Sequence, residues 1–239
     1  MHTCYHPELE VGVSPLSEEE ALHVVRVLRM SEGQSVRLID GQGGLAQGIL
    51  TAVGKRSASV HVERLEKEEV QPKGLVLVVA PTKANDRFEW LLEKATELGV
   101  EEVIPVWTDR SERRVDKHDR WRKVVVAATK QCQRRWMPKL YEACAMKDLF
   151  DLHPGLMARP GAVAHCMGDV SGLSERVAWT EWQADNSEAW LAIGPEGDFT
   201  EYEVRWLVER NACAVHLGVL RLRTETAAMA AVAQFKTSD

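Results

Sequence analysis

Trp190-Leu191-Ala192-Ile193-Gly194-Pro195-Glu196-Gly197-Asp198-Phe199-Thr200-Glu201-Tyr202-Glu203-Val204 reads as a short apolar strand, a glycine- and proline-containing turn and the start of a helix. Thr200 and Glu203 have the spacing of a capping box, and Phe199 and Val204 that of a hydrophobic staple, so the helix start is sharply marked. A strand that feeds directly into a capped helix is the unit of an α/β domain, and the turn between them lies where such domains hold ligands. Gly194 and Gly197 let backbone groups approach a ligand, while Pro195 stiffens the loop. The same residues also suit a plain tight connection, with Glu196 as a solvated loop acid.

The alternation continues toward the C-terminus. Ala214-Val215-His216-Leu217 is a strand, Gly218 opens a turn, and Ala227 to Ala233 form a helix whose small side chains favour close packing and deep burial. Thr224 or Thr226 suits the cap of that helix. Arg221, Arg223 and Glu225, beside a buried strand and an apolar helix, must reach solvent, pair with one another or meet a ligand.

Toward the N-terminus, Ala162-Val163-Ala164-His165 is another strand. Before it come a helix over 119–131 packing through Trp121, Val124, Val125 and Ala128, and a short strand after Pro138. Val103-Ile104-Pro105-Val106 reads as a strand whose proline predicts an end or an edge. Phe88, Leu91, Leu92, Ala95 and Leu98 fall on one helix face that stops at Gly99. Leu75-Val76-Leu77-Val78-Val79-Ala80 lacks alternation, as expected of a parallel strand covered on both faces. Residues 148–188 carry little pattern.

The first seventy residues differ. Ser35–Asp40, Ala46–Leu50 and Ala58–Val62 alternate as short strands, with Asp40-Gly41 as a turn, and a helix carrying Leu22, Val25, Arg26 and Arg29 precedes them and stops at Gly33. The charged run Glu66–Glu69 and Pro72-Lys73-Gly74 mark the boundary, giving a β-rich domain over 1–72 and an α/β domain over 73–239.

A chain of 239 residues, 45% apolar and 28% charged, has room for these two domains and for a core that needs no metal or disulfide. The formal charge of −6 argues against binding a polyanion by bulk charge alone. Residues 110–139, however, hold eleven Lys or Arg against three Asp or Glu, a local +8 within a remainder of −14. Arg110, Arg113, Arg114, Lys130, Arg134, Arg135 and Lys139 suit either a phosphate-facing surface, with Trp136 to stack on a base, or two solvated helix faces.

Five scattered cysteines and no export signal or spanning segment predict a reduced protein of the cytoplasm. There is no dinucleotide fingerprint, no phosphate loop ending in Gly-Lys-Ser/Thr, no nucleophile elbow and no closely spaced cysteine-histidine set for a metal.

Leu191 to Phe199, then Leu217-Gly218 with Arg223-Thr224-Glu225-Thr226-Ala227, together with Glu93-Lys94-Ala95-Thr96-Glu97-Leu98-Gly99-Val100, resemble the RsmE family of SPOUT methyltransferases. So do Arg110-Ser111-Glu112-Arg113, Gln131 with Arg134 and Pro138, and His23 with Val27-Leu28-Arg29 and Asp40-Gly41. The resemblance covers nearly the whole chain. It implies an α/β SPOUT fold with a C-terminal trefoil knot and a parallel sheet, plus a small N-terminal PUA-like β domain. It further implies a homodimer that methylates uridine N3 of 16S ribosomal RNA, in an assembled small-subunit particle, using S-adenosylmethionine, with neither DNA nor membrane as partner.

By that likeness, Ile193, Gly194, Pro195, Glu196 and Gly197 border the methionine side of the cofactor, and Leu217, Gly218, Leu222, Arg223 and Thr224 enclose its adenosine. Arg223 is the candidate for stabilising charge in the reaction, and Arg26, Arg29, Arg110, Arg113, Arg134 and Arg135 are the RNA contacts. Glu225 resembles an acid that sets the loop. Asp198 stands where the family commonly has glycine, and Lys130 where it is often acidic. The alternatives are a noncatalytic ribosomal RNA binding or assembly protein, left open by Asp198, or a knotted enzyme acting on another RNA position.

Overall fold

Residues 1–71, 73–168 and 175–235 are described by a computed structural model of the chain. Pro72 of the sequence boundary and the last four residues of the domain drawn to 239 lie outside the described residues. The chain forms two compact units, Met1–Gln71 with Val126–Met137, and Pro72–Val125 with Pro138–Asp239. Residues 126–137 thus return to the first unit, a long-range association that local composition does not reveal.

The first unit contains β1 (Thr3–Tyr5), β2 (Gly12–Pro15), α1 (Glu18–Leu22), β3 (Ser35–Ile39), β4 (Gly44–Val53) and β5 (Ala58–Lys67). Its sheet has the order β1-β3-β4-β5-β2, parallel only between β1 and β3. Alternation turns Val36, Leu38, Ala46, Leu50, Val60 and Val62 toward one core with Ala21 and Val24, whereas Gln47 and Glu63 face solvent. Ser17 caps α1 by accepting from the Glu20 N–H at 3.2 Å. Contrary to the expected run to Gly33, the helix widens into a π turn over His23–Val27 and ends before Arg29, whose φ is 53°. Three valines in that turn crowd a regular helix.

Residues 126–137 are tied in by hydrogen bonds from Gly43 N–H to Arg135 O at 3.1 Å and from Met137 N–H to Gly41 O at 3.0 Å. Arg135 pairs with Glu66 and Glu68, and Trp136 Nε1 donates to Glu68 at 3.0 Å. Gly43 is required here: its φ is +92°, and an added Cβ would lie 2.3 Å from Glu68 O and 2.6 Å from the Trp136 ring.

The second unit contains β6 (Leu75–Val79), α2 (Asn85–Glu97), β7 (Glu102–Trp107) and the first part of α3 (His118–Cys132), then β8 (Lys139–Leu140), β9 (Cys144–Ala145), α4 (Leu149–Leu152) and β10 (Gly161–Ala164). β11 (Val177–Ala178), α5 (Trp179–Trp182), β12 (Ala189–Ile193), α6 (Glu201–Val208), β13 (Ala212–His216) and α7 (Thr224–Gln234) follow. The strands form one all-parallel sheet in the order β11-β13-β10-β12-β6-β7-β8, with β9 also on β7. Every residue of β6 and β12 is buried, as their unbroken apolar runs require.

Two local expectations are corrected. Leu98 is 43% exposed because α2 ends at Glu97, and the bonds from Gly99 N–H to Thr96 O and Val100 N–H to Ala95 O close it as a Schellman cap. Pro105 lies inside β7, paired with Val79, and not at an end or edge. It falls in the gap between Glu102–Val103, which meet β8, and Val106–Trp107, which meet β9, so its missing N–H spoils neither short ladder. Buried Glu101 anchors the start of β6, accepting from Gly74 N–H at 2.7 Å and pairing with Nη1 and Nη2 of Arg159 at 2.7 and 2.9 Å.

Candidate active site

The C-terminal ends of β10, β12 and β13 open onto one cavity of about 280 Å³ in the second unit. Ligands gather at such strand ends because the following loops and helix N-termini present free backbone groups there. From the loop after β12, Ile193, Gly194, Pro195 and Glu196 line the cavity, and from the loop after β13, Leu217, Gly218, Leu222 and Arg223 do so, with Thr224 at the start of α7. Nine of the ten residues expected around a cofactor are therefore brought together. Gly197 is not: it faces away, where its added Cβ would meet Arg110 Cβ at 3.4 Å.

Thr224 does not cap α7. Arg223 holds the N-cap position without a side-chain bond, and the buried Thr224 hydroxyl donates to Gly194 O at 3.0 Å, joining the two loops. Gly194 has no room for another side chain, since a Cβ would come within 3.0 Å of Phe199 N and 3.2 Å of Asp198 C. The capping box at Thr200 is complete, with Glu203 N–H donating to Thr200 Oγ1 at 3.2 Å and Thr200 N–H to Glu203 at 2.7 Å. Phe199 and Val204 are fully buried in one core, as the staple requires.

Asp198 has a φ of 65°, the left-handed region that glycine enters freely and aspartate tolerates. Its carboxylate accepts from Phe199 N–H at 2.8 Å and Cys166 N–H at 2.7 Å, so it holds the loop after β10 against the loop after β12. Glu196 accepts from Lys83 N–H at 3.0 Å, and the Lys83 ammonium pairs with Glu112.

Arg110 Nη1 donates to Gly197 O at 2.9 Å and Phe199 O at 3.0 Å, so this expected RNA contact is engaged in holding the loop from outside. Arg113, in the same unit, is exposed beside Lys83 and Lys117. The other four RNA candidates belong to the first unit. Arg26 and Arg29 are exposed, Arg135 is committed to Glu66 and Glu68, and Arg134 is half-buried, with burial pushing its guanidinium down from the usual arginine range.

Three lining residues lie outside the set expected from sequence, His165, Cys166 and Arg176, and Arg221, expected to reach solvent, pair or meet a ligand, lines the cavity as well. His165 is buried, neither ring nitrogen has a partner among the described residues, and burial, reinforced by Arg176, pushes its pKa down. The signal available was its place at the end of a parallel strand. Arg221 and Arg223 are exposed at the cavity, and no carboxylate pairs with either among the described residues. Glu225 lies outside the lining, buried, with Oε1 3.8 Å from Arg87 Nε and Oε2 without a partner among the described residues. No helix among the described residues is long and apolar enough to cross a membrane.

Residues 69–236 match the family model of an RNA methyltransferase domain, and residues 16–63 that of an RNA methyltransferase PUA domain. Ribosomal RNA small subunit methyltransferase E of Bacillus subtilis is 29% identical over 233 residues, spanning 93% of this chain and 89% of that one. Among solved structures, a probable rRNA-methyltransferase from Porphyromonas gingivalis superposes with a TM-score of 0.83 at 31% identity, covering 97% of this chain and 95% of the other. The ribosomal RNA small subunit methyltransferase E of Neisseria gonorrhoeae, bound to S-adenosyl methionine, gives 0.79 at 28% identity, covering 98% and 95%. With a PUA module, a parallel α/β unit and a cavity built from both signature loops, the chain belongs to the RsmE family of RNA methyltransferases.

Proposed function

We propose that this protein methylates N3 of a uridine in 16S ribosomal RNA of the small subunit, with S-adenosylmethionine as the methyl donor. The observation that carries the proposal is the single cavity shared by the loops after β10, β12 and β13 and latched by Thr224 on Gly194. Its chemistry fits the donor. Ile193, Leu217 and Leu222 offer apolar contact for a base, the loop backbone offers hydrogen bonds, and Glu196 and Asp198 supply negative charge suited to a sulfonium and an amino group. S-adenosylmethionine, when bound, supplies an electrophilic methyl group on positively charged sulfur.

The remaining work falls to the chain. Uridine N3 becomes nucleophilic only as it loses its proton, and the resulting negative charge spreads to O2 and O4. A guanidinium beside those oxygens lowers the cost of that loss. Arg223 is the residue assigned to this role. Arg26, Arg29 and Arg113, which are exposed, position the RNA through phosphate contacts, and the target base leaves its stack to enter the cavity. Asp198, which kept a noncatalytic reading open, takes the glycine-like conformation and closes the loop with two hydrogen bonds, which favours the enzyme.

The proposal includes a homodimer acting in the cytoplasm on an assembled small-subunit particle. It also includes a trefoil threading of the late chain, supported by the insertion of β10 between β12 and β13.

The test is incubation with labelled S-adenosylmethionine and, separately, small-subunit particles, naked ribosomal RNA and transfer RNA, followed by digestion and nucleoside mass analysis. Formation of 3-methyluridine, highest with particles, is the expected result. Label in another nucleoside, or none with any RNA, would overturn the proposal.

A further inference from the structure

We propose that His2, Cys4 and Glu20 form a binding site for a zinc-class divalent cation in the first unit. One donor atom from each of the three, an imidazole nitrogen, the Cys4 Sγ and a Glu20 carboxylate oxygen, lies within 4.8 Å of the other two. Small side-chain rotations bring such atoms to bonds of about 2.0–2.3 Å around one ion. β1 supplies Cys4, fully buried, and α1 supplies Glu20, only 5% exposed. His2 precedes β1 and stacks on His23 with ring centroids 4.9 Å apart.

Two buried atoms in this cluster, His2 Nε2 and Glu20 Oε2, have no hydrogen-bond partner among the described residues. Orphaned buried polar atoms are uncommon enough to require an explanation, and a bound cation provides one for both. The other Glu20 oxygen, Oε1, accepts from Lys130 Nζ at 2.5 Å. That is how a ligating carboxylate is commonly held: an outer donor fixes one oxygen and leaves the other for the metal. Nitrogen, sulfur and oxygen donors together favour zinc over calcium or magnesium, and three protein ligands leave a fourth position for water. On binding, the sulfur–metal bond forms as the Cys4 thiol proton is released to solvent.

The ion would staple β1 to α1, and none of its ligands takes part in the chemistry proposed above. Sequence spacing does not flag the site, because His2 and Cys4 alone make no motif and Glu20 is brought in by the fold.

The experiment uses the full-length, untagged chain, stripped with chelator, kept reduced by a phosphine and titrated with Co²⁺. One equivalent should produce a thiolate-to-cobalt charge-transfer band that one equivalent of Zn²⁺ bleaches. Cys4→Ser should abolish the band although the other cysteines, Cys132, Cys144, Cys166 and Cys213, remain. Should that variant fail to fold, His2→Asn and Glu20→Gln, verified by circular dichroism, decide the matter: each should weaken Co²⁺ binding at least about tenfold. Absence of the band in the parent, or parental affinity in both of those variants, would overturn the proposal.

Discussion

Replacing Thr224 by valine removes one hydroxyl while keeping nearly the same shape, so it isolates the bond between the two cofactor loops. Thr224 is 4% exposed and its Oγ1 donates to Gly194 O at 3.0 Å. A neutral hydrogen bond contributes about 1 kcal/mol net, and a carbonyl left dry costs up to about 3 kcal/mol. Because Gly194 borders a cavity that water enters, the lower half of that range applies, about 1–2 kcal/mol. Since 1.4 kcal/mol is about a factor of ten at equilibrium, S-adenosylmethionine binding should weaken by roughly five- to thirtyfold if the latch shapes the site. Calorimetric titration measures this, with circular dichroism to verify the fold. Thr224→Ser, which keeps the hydroxyl, should bind within about threefold of the parent. Parental affinity in Thr224→Val, or equal losses in the valine and serine variants, would refute the assignment of binding energy to this hydrogen bond.

Arg110→Ala should weaken cofactor binding about tenfold by releasing two carbonyls of the loop, and Arg110→Lys should recover part of that loss; a purely RNA-binding role would leave cofactor affinity unchanged. Arg223→Ala should slow single-turnover methylation by about a hundredfold or more while sparing most RNA affinity, and an unchanged chemical rate would remove it from charge stabilisation. Arg26→Ala with Arg29→Ala should reduce the slope of log RNA affinity against log salt by about 2, one for each phosphate no longer neutralised, and an equal slope in parent and variant would exclude a phosphate role for both. Burial holds His153 and His165 below the usual 6.5, so the unfolded chain takes up protons that the folded chain resists. Their contribution to stability is therefore complete above about 6.5 and declines as pH falls below it, which thermal unfolding between about pH 7 and 5 should show as a falling midpoint.

Much of the α/β unit was legible because its buried strands are short unbroken apolar runs and its helix boundaries carry local chemistry. The capping box at Thr200 needs only residues three apart, and β6 needs only five consecutive aliphatics. The loops could be selected as candidates from glycine placement, but their convergence required the sheet order, which sets β10 between β12 and β13. His165 escaped for that reason: nothing in its immediate neighbours distinguishes a pocket histidine from a packed one. Thr224 has the local pattern of a cap, and its actual partner, Gly194, lies thirty residues away. Arg110 counted toward a basic patch although its guanidinium was already taken, since charge tallies do not register backbone acceptors. The place of Pro105 does not follow from local sequence, because the gap between two short neighbouring strands is a property of the sheet.

The return of residues 126–137 to the first unit bears on the order of synthesis. A ribosome that has released the first seventy-odd residues has delivered every strand of that sheet but not the segment that covers Gly41–Gly43 and neutralises Glu20, Glu66 and Glu68. These bonds and ion pairs form only once the nascent chain has grown past Met137. A gene fragment cut at residue 72 would for the same reason encode an incomplete body, with Glu20 deprived of its lysine and the Gly43 N–H of its carbonyl.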